Sequence, residues 1–229
     1  QFPKEYQDGQ VKYLYLDWDK KEAEFLPGVF IPLRPFPGTI GIARKEPGQY
    51  STVPPAEYAG NMDIRDLTAG ATLYIPVQVK GALLWSGDSH AAQGNGEVNL
   101  TALETAYREM NLTIDVVKGK PIDFPRIETR KSWITMGFDA DMNKAWVQAQ
   151  AQTVKFLAEQ RKITPDQAAK LMPATSDCRV SQVVNIKKGI HCISPKNPND
   201  KEDMERPAAE TAQSYVTHAK DADLNKAMD

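Results

Sequence analysis

The sequence predicts an α+β protein that is mainly β, with sandwich-like β layers, one long amphipathic helix and a C-terminal helical or irregular arm. Three observations lead to this fold class. Residues 1–117 carry short apolar runs separated by Gly and Pro, residues 139–160 repeat apolar side chains at helical spacing, and the chain beyond Pro195 is polar and charged. These patterns are typical of strands, of a packed helix and of a segment without a core of its own, respectively.

The β-rich part is predicted to contain several short strands. Prolines within residues 32–38 and 52–61 exclude helix there, because proline lacks the amide hydrogen that a helix needs. Short strands separated by turns favour a sandwich or a barrel-like layer. The predicted strands cover residues 11–18, 28–33, 38–43, 71–79, 82–87, 98–105 and 112–118.

The pattern changes after Met136. Residues 139–160 combine good helix formers with helical spacing, which predicts a long amphipathic helix. Thr164 as N-cap, followed by Pro165 at the first helical position, predicts a second, short helix. Residues 180–194 then predict a β-hairpin. The expected division is a β-rich domain over 1–136 that carries the site, a helix pair with a hairpin packed on it over 137–195, and a polar arm over 196–229.

The two cysteines, Cys178 and Cys192, are expected to be free thiols. A hairpin turn at residues 187–189 places Cys192 opposite Val184, so Cys178 would lie about six residues, roughly 20 Å, along the ladder. A disulfide requires Cα atoms within about 7 Å of each other.

Composition excludes several classes of partner. The 229 residues carry a formal net charge of −2, which provides no general attraction for nucleic acid or anionic lipid. No apolar run approaches the roughly 20 residues that span a bilayer. The signatures of serine hydrolases, HExxH zinc proteases and phosphate-binding loops are also missing from the sequence. We therefore expect neither nucleic acid nor a membrane as a partner.

The stretch GDSHAAQGNGE at residues 87–97 concentrates chemically active groups. Asp88 and His90 are two residues apart, so on a strand they project from one face and could bind a divalent cation, zinc before calcium. Glu97, beyond a Gly-Asn-Gly turn, could act as a base or as a further ligand. The alternative is a glycine-rich loop in which Asp88 caps a turn and His90 is a hydrogen-bonded surface residue.

A second polar stretch, AGNMDIRDLTAG at residues 59–70, carries Asn61, Asp63 and Asp66. In isolation it is typical of a turn rich in Asn and Asp. It gains functional meaning only if it meets the first stretch.

Three segments together resemble the acetamidase/formamidase family: PFPGTIGIA at 35–43, the long stretch at 51–98, and DCRVSQVVNIKKGIHCISPK at 177–196. Members of this family commonly show PF-G-IG, PP…GGNMD and GD-HAAQGDGE in this order. The resemblance covers about residues 28–197. It implies hydrolysis of a small aliphatic amide to a carboxylate and ammonia, in a β-rich fold with a helical appendage.

The family motifs can be carried over by position. Asn61 and Asp63 stand at the family's NMD, and Asp88, His90, Gln93 and Glu97 stand at its GD-HAAQG-GE. The chain departs from the pattern at Ala59, which replaces the first glycine of GGNMD, and at Asn95, which replaces the Asp of GDGE. Family members also carry an N-terminal region ahead of the part matched here, so a separate N-terminal chain of the same precursor is one expected partner.

The resulting hypothesis is metal-assisted hydrolysis. The catalytic residues are Glu97, which moves the proton from water to the leaving nitrogen, together with His90 and Asp88. The metal ligands are Asp63, Asp88 and His90. The substrate is positioned by Asn61 or Gln93, and Trp85 lines a small pocket, although core packing is the alternative for this Trp.

Other interpretations stay open at this point. Cys178 could act as a nucleophile with His191 as its base. The chain could instead be a non-catalytic β-sandwich that binds a small ligand or a metal, or a structural subunit. His218 is expected to be solvated in the arm, and a helix over 208–228 is expected to serve assembly into a homo-oligomer. A periplasmic or exported location is expected, with the cytoplasm as the alternative.

Overall fold

The computed structural model describes residues 4–199, and in this part of the chain strands dominate, with 31% strand against 17% helix. Three β-sheets and two α-helices account for the regular structure of these residues. The predicted fold class, α+β and mainly β, is confirmed, whereas a face-to-face sandwich arrangement stays a prediction. None of the helices in residues 4–199 has the length and apolar character needed to cross a membrane.

Residues before Pro35 form a small antiparallel sheet of their own. Pro27 and Gly28 make a two-residue turn, in which Gly28 adopts φ 78° and donates its amide hydrogen to Glu24 Oε1 at 3.0 Å. Such a φ favours glycine because it has no Cβ. The strands are β1 (Leu16–Asp17), β2 (Glu22–Leu26) and β3 (Val29–Pro32), in the order β1-β2-β3.

Residues 35–196 form a second compact unit that contains two sheets. The four-stranded sheet has the order β5-β4-β7-β8, and the five-stranded sheet has the order β11-β12-β10-β9-β6. The first comprises β4 (Phe36–Gly41), β5 (Ala59–Asn61), β7 (Trp85–Ala92) and β8 (Leu103–Thr105). The second comprises β6 (Thr72–Tyr74), β9 (Arg126–Glu128), β10 (Ser132–Asp139), β11 (Asp177–Gln182) and β12 (Lys188–Pro195).

The two predicted helices are present close to their expected bounds. Helix α1 spans Met142–Arg161, and the Asp141 side chain caps it by accepting from two backbone amides. Helix α2 spans Pro165–Thr175 and begins with a capping box between Thr164 and Gln167. Both caps satisfy amide hydrogens that have no partner within the helix.

Helix α1 packs closely on β10 at Gly137. A Cβ added to Gly137 would lie 2.4 Å from the carbonyl oxygen of Ala145 and 2.5 Å from the amide nitrogen of Ala149. These are backbone atoms of the helix, so a side chain at position 137 can be accommodated only by moving the helix. The missing Cβ therefore sets the distance between helix and sheet.

We expect Gly137→Ala to lower the free energy of unfolding by about 1–3 kcal/mol, the usual cost of overpacking. The measurement is chemical denaturation of both proteins. Gly94→Ala is the matched control, since no atom lies within 4 Å of a Cβ at that position. Equal stability of the two variants would contradict the close helix–sheet contact.

Several predicted strands are shorter than expected, and one is not formed. Residues 112–118 form no regular structure and pair with no strand among the described residues, and Ile114 and Val116 are 70% and 62% exposed. Alternating apolar residues favour a strand, but a strand also needs a neighbouring edge that donates and accepts hydrogen bonds. The predicted strand at 98–105 is a 3₁₀ turn, Val98–Leu100, followed by β8.

The predicted division into domains stays a prediction. The boundary after Met136 falls inside β10, which lies between β12 and β9 in one sheet. The predicted arm over 196–229, with its helix at 208–228 and His218, falls almost wholly outside the described residues.

The prediction of two free thiols is wrong, because Cys178 and Cys192 form a disulfide. The hairpin turns at residues 183–187 instead of at 187–189, so Cys178 pairs directly with Cys192 across β11 and β12. This register brings the two Cα atoms to 3.9 Å. A bonded sulfur is not a nucleophile, so the alternative role of Cys178 as a catalytic thiol is wrong in this state.

Candidate active site

Strand β7 places Asp88 and His90 side by side. His90 Nε2 lies 3.0 Å from Asp88 Oδ1, as the two-residue spacing on a strand predicts. The imidazole of His90 is only 1% exposed, whereas the Asp88 side chain is 35% exposed. The pair therefore has one buried and one solvent-facing member.

The loop after β5 brings Asp63 to the other nitrogen of the same imidazole. Asp63 Oδ1 lies 3.8 Å from His90 Nδ1, and the Asp63 side chain is 1% exposed. The amide of Asp63 donates to the carbonyl oxygen of Gly38 at 3.1 Å, which ties this loop to β4. The two polar stretches of the sequence thus meet at His90.

Gly38 leaves the space in which these three side chains converge. A Cβ at Gly38 would lie 2.6 Å from Asp63 Oδ1, 2.8 Å from His90 Cε1 and 2.9 Å from Asp88 Oδ2. No real side chain tolerates contacts of this length to several fixed groups. The cluster therefore depends on glycine at position 38.

His90 also contacts Glu104 on β8, a residue that the sequence interpretation missed. Glu104 Oε2 lies 3.3 Å from His90 Nε2, and the two residues are directly paired in the sheet. Burial lowers the pKa of His90, but its hydrogen bonds to Asp88 and Glu104 outweigh this and raise that pKa to about 10. The same hydrogen bond from His90 holds the pKa of Glu104 at about 2.

Two buried carboxyls of the cluster have raised pKa values. Burial, reinforced by the charge of Glu97, raises the pKa of Asp63 to about 8. Burial also raises the pKa of Glu97, which is 6% exposed. Two buried carboxylates in one place are stable in their charged forms only when a cation or hydrogen-bond donors compensate them. Ionisation of both carboxyls therefore needs a cation or hydrogen-bond donors beside them.

Several buried atoms of the cluster have no hydrogen-bond partner among residues 4–199. They include Asp63 Oδ1, His90 Nδ1 and Glu97 Oε2. Buried polar atoms without partners are rare in folded proteins because each costs about 1–3 kcal/mol. Their convergence fits a divalent cation, for which imidazole nitrogen and carboxylate oxygen are suitable ligands. Two overlapping sets have ligand atoms within 4.8 Å of one another: Asp63, Asp88 and His90, and His90, Glu97 and Glu104.

The predicted substrate residues Asn61 and Gln93 both lie beside Asp63. Thr39 Oγ1 lies 2.5 Å from Asn61 Oδ1 and 3.3 Å from Asp88 Oδ2, which links two residues of the motifs through one hydroxyl. Gln93 Nε2 donates to the carbonyl oxygen of Asp63 at 3.0 Å. The carbonyl oxygen of the Gln93 side chain is buried without a partner in the described part of the chain.

Trp85, predicted to line the substrate pocket, is not brought to this cluster. It pairs with Gly41, three residues and roughly 10 Å along the strand from Asp88. There it lines a separate cavity of about 530 Å³ together with Arg44, Tyr50 and Tyr58. The cavity lining includes neither Asp88 nor His90, so a role of Trp85 in substrate binding stays a prediction.

Four contributors to the site escaped the sequence interpretation: Gly38, Thr39, Glu104 and Asn185. Asn185 Nδ2 donates to Asp63 Oδ2 although the two residues are 122 positions apart. No local spacing could have indicated such a contact, because it depends on how the hairpin β11–β12 meets the β5 loop. The segments PFPGTIGIA and VSQVVNIKK carry three of these residues, and the sequence indicated strands and a family resemblance there but no site residue.

Asn95, the departure from the family's GDGE, lies two residues before Glu97 and has a buried side-chain oxygen without a partner among residues 4–199. Because residue 95 is Asn where the family has Asp, the motif carries one carboxylate fewer than the family pattern. Glu104 is a carboxylate of the site that lies outside the motif.

The fold and the site define a mainly β protein with a buried carboxylate–histidine cluster on a four-stranded sheet. The chain belongs to the acetamidase/formamidase family, whose model matches residues 46–199. Among sequence relatives, it is 37% identical over 102 residues to the acetamidase of Mycolicibacterium smegmatis, covering 39% of this chain and 25% of that protein. It is 37% identical over 67 residues to the formamidase of Methylophilus methylotrophus, covering 29% and 16%.

Solved structures show the same fold over most of this chain. The crystal structure of acetamidase from Bacillus halodurans has a TM-score of 0.70 and 29% identity, covering 80% of this chain and 60% of that one. The predicted acetamidase/formamidase of Thermoanaerobacter tengcongensis has a TM-score of 0.69 and 26% identity, covering 88% and 62%. The chain therefore spans about three fifths of the length of these structures. The predicted family resemblance is confirmed.

Proposed function

We propose that this protein hydrolyses a small aliphatic amide of the formamide or acetamide kind to a carboxylate and ammonia, with the help of a divalent metal. The observation that carries the proposal is the convergence of unpartnered buried ligand atoms around His90. Family membership and the acetamidase and formamidase relatives support amide hydrolysis as the class of reaction.

The proposed metal ligands are Asp63, Asp88 and His90, with Glu104 adjacent on the same imidazole nitrogen as Asp88. Mixed nitrogen and oxygen ligands suit zinc, and the surplus of carboxylates would also suit calcium. A divalent ion held by these residues would supply Lewis acidity toward the amide carbonyl and toward water.

Glu97 is the proposed proton carrier. An amide nitrogen leaves only when it receives a proton, and the attacking water must lose one. Glu97 is buried beside Asp63, and burial raises the pKa of its carboxyl, which makes its carboxylate a stronger base toward water. The proton taken from water can then be passed to the leaving nitrogen by the same carboxyl.

Asn61 and Gln93 are proposed to orient the amide. The side-chain oxygen of Asn61 faces the Thr39 hydroxyl, which leaves its amide hydrogens for an incoming carbonyl oxygen. Gln93 is held by the backbone of Asp63 through Nε2, so its carbonyl oxygen can accept a hydrogen bond from the substrate NH₂ group.

The test is ammonia release from formamide and from acetamide before and after treatment with a metal chelator. We expect release that is lost on chelation and restored by added Zn²⁺, because water and the amide carbonyl are weakly reactive without a Lewis acid. Ammonia release unchanged by thorough metal removal would contradict metal assistance.

The second candidate function is a non-catalytic module that binds a small polar ligand or a metal at the same loops. Asn95 favours it, because an amide stands where the family motif has a carboxylate. Saturable binding of Zn²⁺ or of acetamide without any ammonia release would identify this function.

We also propose an exported, periplasmic location and assembly with further chains. The Cys178–Cys192 disulfide supports an oxidising compartment. The proposed partners are further copies of this chain and a separate N-terminal chain of the same precursor. Native and denaturing mass measurements on purified protein test this composition.

A further inference from the structure

Asn185 lies buried at the tip of the β11–β12 hairpin and contacts the loop that carries Asp63. Its Nδ2 donates to Asp63 Oδ2 and, at 3.4 Å, to the carbonyl oxygen of Asn61. Asp63 Oδ1 is left to face His90 Nδ1 at 3.8 Å. Both hydrogens of the Asn185 side-chain amide thus bind the loop that carries Asp63. They determine which oxygen of Asp63 faces His90.

Asn185 is itself fixed by Gln182, which is fully buried. Gln182 Oε1 accepts from the backbone amides of Val184 and Asn185 at 2.8 and 3.0 Å, and Nε2 donates to the carbonyl oxygen of Lys187 at 2.7 Å. A side chain that uses both ends in this way closes the hairpin loop and limits the motion of its tip. The Asn185 side-chain amide is therefore oriented toward Asp63 and Asn61 without the need for a bound ligand.

The same segment holds the loop that leads to Glu97. The amide of Gly96 donates to the carbonyl oxygen of Ser181 at 2.9 Å, and Gly96 forms a β-bridge with Gln182. Ser181 Oγ is hydrogen-bonded to Nδ1 of the buried His191 at 2.8 Å, which anchors the segment to β12. Asp63 and Glu97, which come from different loops, therefore depend on one stretch of chain.

We propose that residues 181–185 are a positioning element of the site and that Asn185 is its decisive residue, because it keeps Asp63 Oδ1 turned toward His90. This inference rests on the proposed function. Asn185 acts through Asp63, so it is a positioning residue. Loss of the groups that orient metal-binding side chains usually costs about 10–100-fold in metal affinity or activity.

The experiment compares Asn185→Ala with the wild-type protein in ammonia release from formamide and in Zn²⁺ affinity, measured by competition with a chelating dye. We expect kcat and Zn²⁺ affinity each to fall about 10–100-fold, with KM little changed, because the amide acts on Asp63 and not on the substrate. Asn185→Asp keeps the size of the side chain but turns a carboxylate toward Asp63, so it should lose at least as much.

Ser194→Ala is the matched control for loss of a buried hydrogen bond in the same hairpin. Ser194 is 2% exposed, and its Oγ lies 2.7 Å from Ser176 Oγ. We expect this variant to lose stability as Asn185→Ala does, while it keeps the wild-type kcat and Zn²⁺ affinity. An Asn185→Ala protein that keeps both values, or a Ser194→Ala protein that loses both equally, would overturn the role of Asn185.

The two proposals fail in different ways. A wild-type protein that neither releases ammonia nor binds Zn²⁺ counts against the proposed function, and the inference falls with it. An active wild type together with an equally active Asn185→Ala variant removes only the inference.

Discussion

Replacing Glu97 by Gln is expected to lower kcat for ammonia release from formamide by about 10²–10⁴-fold, the range that one positioned proton carrier contributes. Gln has nearly the same size and can keep the hydrogen bonds of the loop, but it cannot take a proton from water or return one to nitrogen. Because burial raises the pKa of Glu97, ionising it in the folded protein is costly. Removal of the charge should therefore leave the melting temperature unchanged or raise it.

The control for Glu97→Gln is Glu159→Gln. Glu159 lies on α1, is half-exposed and has its nearest cationic partner, Arg126, at 3.8 Å. This exposed change should leave kcat at the wild-type value. A Glu97→Gln protein that turns over at the wild-type rate would exclude Glu97 as the proton carrier. A variant whose rate returns on addition of excess Zn²⁺ would instead identify Glu97 as a ligand only.

Gly38→Ala is expected to lower kcat by about 100-fold or more, since displacement of reacting groups by about 1 Å can cost that much. The added methyl would meet oxygens of Asp63 and Asp88 and a ring carbon of His90, all at 2.9 Å or less. These side chains must separate to admit it, and Zn²⁺ affinity should fall in parallel because the same atoms are the proposed ligands.

Gly87→Ala is a matched control for this change. Gly87 lies on the neighbouring strand β7, paired with Thr39, and no atom lies within 4 Å of a Cβ at that position. It should keep wild-type activity and Zn²⁺ affinity. If Gly38→Ala binds Zn²⁺ and releases ammonia as Gly87→Ala does, the convergence of side chains at Gly38 is not the reacting site.

The sequence predicted local features of the site well, for a physical reason that Asp88 and His90 illustrate. A strand turns its side chains to alternate faces, so two residues at this spacing must be neighbours wherever the strand lies. Whether Asp63 contacts this pair could not be predicted from local spacing. The contact forms because β5 and β7 both pair with β4.

The error at the cysteines shows how sensitive long-range contacts are to register. Placing the hairpin turn at 187–189 instead of 183–187 moved the expected partner of Cys192 from Cys178 to Val184. The signal that favoured the later turn was Lys-Lys-Gly, a good turn sequence. In the loop actually formed, the Gln182 side chain donates to the carbonyl oxygen of Lys187 and accepts from the amide of Asn185, and no turn propensity describes such bonds.

The sequence by itself determined the mainly β fold class, the two helices with their caps, and the family to which the chain belongs. These follow from periodicity, capping residues and ordered motifs, all of which act over a few residues. Only the tertiary structure decided that Glu104 and Asn185 join the cluster, that Trp85 lies elsewhere, and that the cysteines are bonded. Such contacts depend on strand order and register, and one shift of a hairpin exchanges every partner along it.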